Sequence, residues 1–274
     1  MDCHVPKSFF MAFGLISTFL AAGSAEAQDV AAHLAMGTAA VQAHDLRTGL
    51  AHFRAALALD SADYEANWRA ALVLLDQGEQ IPDSIKSRGR DSLYAEAERH
   101  ARRAVAADST GADGHFALAA AIGRASLTMG KKDRIRRAGA IRDEAEHAIE
   151  LNPRHDGAYH ILGRWNAEIM RLSGFSRFFA RSFLGASVFK QASWDGAISN
   201  MEKAVELDPR RVYHRLELAE IYVDRKRYVE ARAQLDSLAA LPNREILDSV
   251  YKREAASLST RIARKGQSRP PAGS

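Results

Sequence analysis

The sequence predicts an all-α protein: a right-handed superhelix of about five stacked helix hairpins, with insertions and a C-terminal capping helix. Three observations carry that expectation. Alanine and leucine abound while Pro is only 7 and Gly 18 of 274 residues, a composition that favours helix. Four segments align without a gap: Ala56-Leu-Ala-Leu-Asp-Ser61, Ala104-Val-Ala-Ala-Asp-Ser109, Ala148-Ile-Glu-Leu-Asn-Pro153 and Ala204-Val-Glu-Leu-Asp-Pro209. A small residue then follows each leading alanine by 15 positions, at Ala71, Ala119, Gly163 and Ala219.

The first hairpin is read from Gly37 and Gly49, and each later unit adds its own marks. Seven residues before each leading alanine stand Gly49, Ala97, Ile141 and Ala197, the isoleucine being the misfit. Seven residues is nearly two helical turns, so both small positions share one face and let a neighbouring helix approach closely. The Asp/Asn-Pro or Asp-Ser step ends a helix, because proline disfavours helix in the residue before it and suits the start of the next segment. Each unit is therefore a hairpin that cannot bury its apolar face alone and must stack on its neighbours.

These marks resemble the tetratricopeptide repeat family over roughly residues 30–243. Gly37, Leu50, Phe53 and Ala56 match its small and apolar signature, as do Ala219, Tyr222, Tyr228 and Ala231. The 34-residue period is plain from Gly37 to Ala71, whereas later units stretch to 48, 44 and 56 residues. The extra residues fall between the two helices of a repeat, at roughly 79–92, 127–137 and 170–192. In the fourth unit, His160-Ile-Leu-Gly-Arg-Trp165, a long apolar-basic insert, Trp194-Asp-Gly-Ala197 and Ala204–Pro209 resemble the regulator of microtubule dynamics family. That resemblance implies a tetratricopeptide-like domain, association of some eukaryotic relatives with microtubules or organelle contacts, and lipid binding as a proposed activity. A protein exported from a bacterium meets no microtubules, so the resemblance is carried to the fold and not to the named function.

Residues 245–264 read as one further amphipathic helix, with Ile246, Leu247, Val250, Leu258 and Ile262 at helical intervals. Residues 265–274, rich in polar residues and proline, read as a disordered tail.

Residues 1–27 read as a secretory signal peptide rather than as part of the fold. Lys7 precedes an apolar run from Phe9 to Ala22, and Ala25-Glu26-Ala27 supplies the small residues a signal peptidase accepts. The mature chain would begin at Gln28 and its repeat domain would occupy residues 28–264. Ser24 stands where a lipid-anchored protein would need cysteine, so there is no lipobox. The single cysteine, Cys3, lies within this segment, which leaves the mature protein without a disulfide or thiolate metal site. The expected location is outside the cytoplasm, in the periplasm.

Charge excludes little. Lys and Arg number 38 against 34 Asp and Glu, a formal +4 with a sequence pI near 9.2, and so balanced a mixture argues against nucleic-acid binding. No catalytic constellation, metal-ligand spacing or Gly-rich phosphate loop is present in the sequence, so neither enzymatic activity nor a cofactor is expected.

The groove carries the functional expectation. In tetratricopeptide arrays the first helix of each hairpin lines the inner surface, which implies inward positions for Trp68, Leu72 and Phe116, then for His160, Arg164 and Glu168. Trp68 and Phe116 have a second reading as packing between hairpins, and Glu168, four residues after Arg164, as its internal ion-pair partner. Phe175, Phe178, Phe179 and Phe183 form one helical stripe flanked by Arg177 and Arg181, either a lid over the groove or a helix packed across it. The expected function is a non-enzymatic scaffold whose groove binds a protein or peptide. The alternative is a carrier of a lipid or another hydrophobic anionic ligand.

Overall fold

The aligned Asp or Asn of each repeat ends a helix with its own side chain. Asp60, Asp108, Asn152 and Asp208 each accept, through Oδ1, the backbone N–H two residues on, at 2.9, 2.8, 3.0 and 3.0 Å. Their backbone N–H groups close the last helical turn onto the carbonyls of Ala56, Ala104, Ala148 and Ala204. The side chain thus folds the chain back on itself in an Asx turn, and the proline that follows in two repeats is dispensable. All four leading alanines are fully buried, since any larger side chain there would hold the helices apart.

The computed structural model describes residues 14–82, 85–172 and 190–267. Among them the helices are α1 (Gly14–Gln42), α2 (Leu46–Leu59), α3 (Tyr64–Glu79), α4 (Arg88–Ala107), α5 (Ala112–Ser126), α6 (Lys131–Leu151), α7 (Asp156–Arg171), α8 (Trp194–Leu207), α9 (Val212–Asp224), α10 (Tyr228–Ala239) and α11 (Asp248–Gln267). They pair as five hairpins, α1–α2 to α9–α10, and α11 packs on α9 and α10 as a cap. Side chains cap several N-termini: Asp45 accepts from Thr48 N–H, Asp63 from Ala66 N–H and Ser193 from Gly196 N–H. Each such cap is worth about 1 kcal/mol.

The small positions do what their spacing predicts. A Cβ on Gly37 would stand 2.5 Å from the Phe53 ring, and one on Gly163 would stand 3.0 Å from the Met201 backbone nitrogen. Phe53, 1% exposed, therefore sits flat on α1, and its burial contributes roughly 2–3 kcal/mol. Two apolar clusters result, one gathered from α2–α5 and one from α7–α11, joined by Ala119, Ala145 and Leu162 where α5, α6 and α7 meet.

The uninserted hairpins, first and fifth, turn in the same way. His44 and Lys226 take φ of 63° and 60°, and the next residue's N–H reaches back to the carbonyls of Ala40 and Tyr222. This left-handed cap is normally glycine's, and it makes the shortest turn available between antiparallel helices.

Three details differ from the sequence expectation. The first two insertions are divided between loop and helix: α4 starts at Arg88 and α6 at Lys131, and they run 20 and 21 residues against 14 for α2 and α8, so part of the extra length extends the start of the second helix. The capping helix begins at Asp248, because Asp248 Oδ2 accepts from Arg244 N–H and Glu245 N–H and holds those residues in a turn. It also continues to Gln267, three residues into the segment read as a tail, carried past the buried Leu258 and Ile262. Residues 268–274 and most of the third insertion lie outside the described residues. α1 runs through Ala27, and Val30, buried against Ala56 and Ala66, follows the expected cleavage point. Among the described residues no helix is long and apolar enough to cross a membrane.

Candidate functional site: a polar network on the concave wall

The first helices of successive hairpins touch one another along the array: α1 with α3, α3 with α5, α5 with α7, and α7 with α9. They therefore form the inner wall of the superhelix. Register along this wall follows from the repeat. Five positions after the small residues Ala71, Ala119, Gly163 and Ala219 come Asp76, Arg124, Glu168 and Asp224, four ionisable groups at one height. One position after them come Leu72, Ala120, Arg164 and Glu220. Of these eight, the sequence expectation includes only Leu72, Arg164 and Glu168; the same offset points to the rest.

The wall is laced across hairpins and closed by the cap. Glu79 at the end of α3 accepts from Arg124 Nε of α5 at 2.6 Å and from the Tyr251 hydroxyl of α11 at 3.1 Å. Tyr251 stacks on Tyr213 of α9, with centroids 4.4 Å apart and planes 13° from parallel. Arg164 of α7 donates to the Tyr213 hydroxyl oxygen and pairs with Glu217 of α9 at 3.3 Å. The Tyr213 oxygen, against the cost of burial, and then Glu217 hold the Arg164 guanidinium well above its usual value.

A second chain of contacts runs beside this one. Asp156 accepts from His214 Nε2 at 2.8 Å and from Arg211 at 3.0 Å, and Arg211 also pairs with Glu245 at 3.0 Å. Although burial opposes it, the His214 bond and Arg211 hold the Asp156 carboxyl well below the usual range. His214 Nδ1 faces His160 Nδ1 at 2.9 Å, and the His160 ring lies 4.4 Å from Tyr213. Burial pushes both imidazoles below their ordinary value, and on His160 the neighbouring His214, Arg164 and Arg211 push further.

Among the described residues, His160 Nε2 and Glu217 Oε2 of this network are buried without a hydrogen-bond partner, and Arg211 Nε has only its ion pair with Glu245. His160 and Glu217 are each 6% exposed. A buried polar atom without a partner costs about 1–3 kcal/mol, so these are the atoms of the wall that a ligand's polar group would satisfy with most gain.

The expected site residues divide accordingly. His160 and Arg164 belong to the network. Glu168 is not the partner of Arg164: it accepts from Arg171 at 2.7 Å, while Arg164 turns toward the next hairpin and finds Glu217. Trp165 is core, and its indole N–H donates to the Ala138 carbonyl at 2.7 Å, tying α7 to the extended start of α6. Phe116 packs between hairpins, 4.6 Å from the His155 ring and over Gly157. Trp68 and Leu72 are half-buried against the first apolar cluster, with the Arg69 guanidinium 4.4 Å from the Trp68 ring centroid. Phe175, Arg177, Phe179 and Arg181 lie outside the described residues.

Away from the network, a cavity of about 740 Å³ opens between the α1–α2 turn, α2, the end of α3 and Ile246. His44, Arg47 and Arg54 line it together with Leu46 and Leu50. No group of three or more His, Cys, Asp or Glu among the described residues is placed to hold a metal ion.

An array of hairpins with a lined inner wall defines a superhelical scaffold of the tetratricopeptide type, a class generally without catalytic activity. The protein-family model described as Regulator of microtubule dynamics protein 1-3 matches residues 34–263, and the chain belongs to that family. Regulator of microtubule dynamics protein 1 of Bos taurus is 26% identical over 150 residues, which cover 55% of this chain and 46% of the relative. Regulator of microtubule dynamics protein 3 of Rattus norvegicus is 24% identical over 196 residues, covering 70% and 40%. The chain thus spans less than half the length of these curated relatives. Among solved structures, a thermophilic TPR protein of Thermus thermophilus superposes with a TM-score of 0.57 at 19% identity, covering 83% of this chain and 99% of that one. The pilF protein of Pseudomonas aeruginosa gives 0.52 at 16% identity, covering 88% and 90%. At these identities the structures speak for the fold alone.

Proposed function

We propose that the chain is a non-enzymatic binding scaffold that holds a protein or peptide on its concave wall, outside the cytoplasm. The observation that carries this reading is the wall itself. Groups from α3, α5, α7, α9 and α11 converge there, and His160 Nε2 and Glu217 Oε2 are buried without internal partners. Repeat arrays of this kind recognise extended or helical segments through such surfaces. Export rests on the basic, apolar and small-residue sequence of residues 1–27. The test is cross-linking and capture from the exported fraction with the natural chain and with a Trp68→Ala, Leu72→Asp double variant. Recovery of the same partners at the same yield by both would overturn recognition by the concave wall.

A second reading, binding of an acidic amphiphile such as a lipid, is supported by the cavity of about 740 Å³, where cationic and apolar side chains meet. Native mass spectrometry of gently purified protein would reveal the bound mass. A bare protein mass, with no uptake from anionic vesicles, counts against it.

A further inference from the structure

The far end of the concave wall is crowded with carboxylates. Glu168 of α7, Glu217, Glu220 and Asp224 of α9, and Glu254 of α11 face a shared space, against the guanidinium groups of Arg164 and Arg171, with Arg253 beside Glu254. Arg171 is divided among Glu168 at 2.7 Å, Asp224 at 2.8 Å and Glu220 at 3.9 Å. Glu254 makes no hydrogen bond or ion pair among the described residues, and its carboxyl is pushed up by burial and by Glu217. Glu220 keeps 38% of its side-chain exposure, so it is open to a ligand. Yet burial, then Glu217, push it up to about 7, and Arg171 and Arg164 offset them only in part.

Glu217 is an independent observation at the same end of the wall. It is 6% exposed, Arg164 takes only its Oε1, and its Oε2 has no partner. Glu217 and Glu220, three positions apart, lie on one face of α9, and α11, which carries Glu254, packs on α9. The carboxylates do not close into a metal-binding group. A cation on a long flexible stem suits them better than a compact divalent ion, because it can sit between groups on two helices and still leave one of them in water.

We propose that this end of the wall receives a lysine or arginine side chain of a partner peptide, seated between Glu220 and Glu254 with Glu217 behind them. The proposal rests on the peptide-binding reading and adds the chemistry of the anchor. Charge complementarity of this kind selects partners and weakens as salt rises.

The probe is a library of random peptides displayed on phage, selected against the purified protein. Enriched peptides are expected to share a Lys or Arg whose replacement by norleucine or citrulline weakens binding about tenfold or more. Glu220→Gln and Glu254→Gln are each expected to produce a comparable loss. Both substitutions relieve like-charge repulsion, so the variants remain folded, and thermal melting checks this. Cation binding restores ionisation of Glu220, so calorimetry in buffers of different ionisation enthalpy should record proton release near neutral pH. Peptides that depend on Trp68 and Leu72 but on no basic residue would overturn the cation anchor and leave the peptide reading intact. A selection yielding no peptide sensitive to either set of variants would overturn both.

Discussion

Glu79 and Tyr251, 172 positions apart, meet at 3.1 Å across the mouth of the superhelix. Glu79 ends α3 in the second hairpin and Tyr251 opens the cap, so this bond ties the two ends of the array across its mouth, in addition to the α5–α6–α7 junction that links their apolar clusters. His44 and the Arg244 carbonyl, 3.0 Å apart, make a second such link. Both links across the mouth are polar and can exchange with water, and beside them Ile246 packs on the first apolar cluster.

Tyr251→Phe should loosen that closure without disturbing either half. The lost hydrogen bond to a carboxylate, at a half-buried site, is worth about 1 kcal/mol. A double-mutant cycle with Glu79→Gln, read by urea denaturation, should give a coupling energy of the same size. Additive effects would mean that the two residues meet without holding the halves together.

Asp76 makes closure sensitive to pH. Burial, then Glu79 and Glu245, push its carboxyl up to about 8, while Arg211 and Arg124 oppose them. The unfolded chain releases this proton near the ordinary value of 3.8, so between that pH and about 8 the folded state holds a proton the unfolded state lacks. Stability from this group is therefore present at low pH and is lost as pH rises through the window. Asp76→Asn should stabilise the protein by roughly 1–3 kcal/mol at about pH 9 and change little at about pH 4. Melting curves at both values decide it, and an equal effect at the two would reject the shifted carboxyl.

Glycines inside the helices differ sharply in what surrounds them. A Cβ on Gly163 would come within 3.0 Å of the Met201 backbone nitrogen, which cannot swing away, so Gly163→Ala should cost about 1–3 kcal/mol. Gly139, inside α6, has nothing within 4 Å of the same point. Gly139→Ala should stabilise by about 0.5–1 kcal/mol through helix propensity alone. Chemical denaturation of the pair should give opposite signs; a loss at both would mean α6 packs more tightly than described.

Gly163 also shows which features are legible in the sequence. The hairpins and the leading alanines follow from spacing within one or two helices, where helical geometry fixes neighbours. The Asx turns are visible as Asp or Asn, although the sequence pattern draws attention to the proline that follows only two of them. The partner of Arg164 is not legible. Glu168 satisfies the i, i+4 rule, but Glu217 wins because α9 lies against the face of α7 that carries Arg164. Contacts such as Glu79–Tyr251 depend on how far the superhelix curls, a sum of small rotations that no local pattern encodes.

His160 offers the sharpest local test. His214 donates its Nε2 proton to Asp156 and, being neutral, presents a bare Nδ1. The facing Nδ1 of His160 must then carry the proton in the 2.9 Å contact, which leaves His160 Nε2 as an acceptor without a donor. Burial and the nearby His214, Arg164, Arg211 and Arg124 all oppose a second proton. The unfolded chain takes that proton near the ordinary value of 6.5, so the contribution of this residue to stability is full above that pH and declines as pH falls below it. Long-range proton–nitrogen correlation spectra should show the Nδ1–H form of His160 unchanged at pH values where exposed histidines have titrated. A donor from a bound partner would shift the Nε2 resonance, so the same spectrum reports occupancy of the wall. An Nε2 that carries a proton, or titrates with the exposed rings, would remove both the assigned tautomer and the unpaired acceptor.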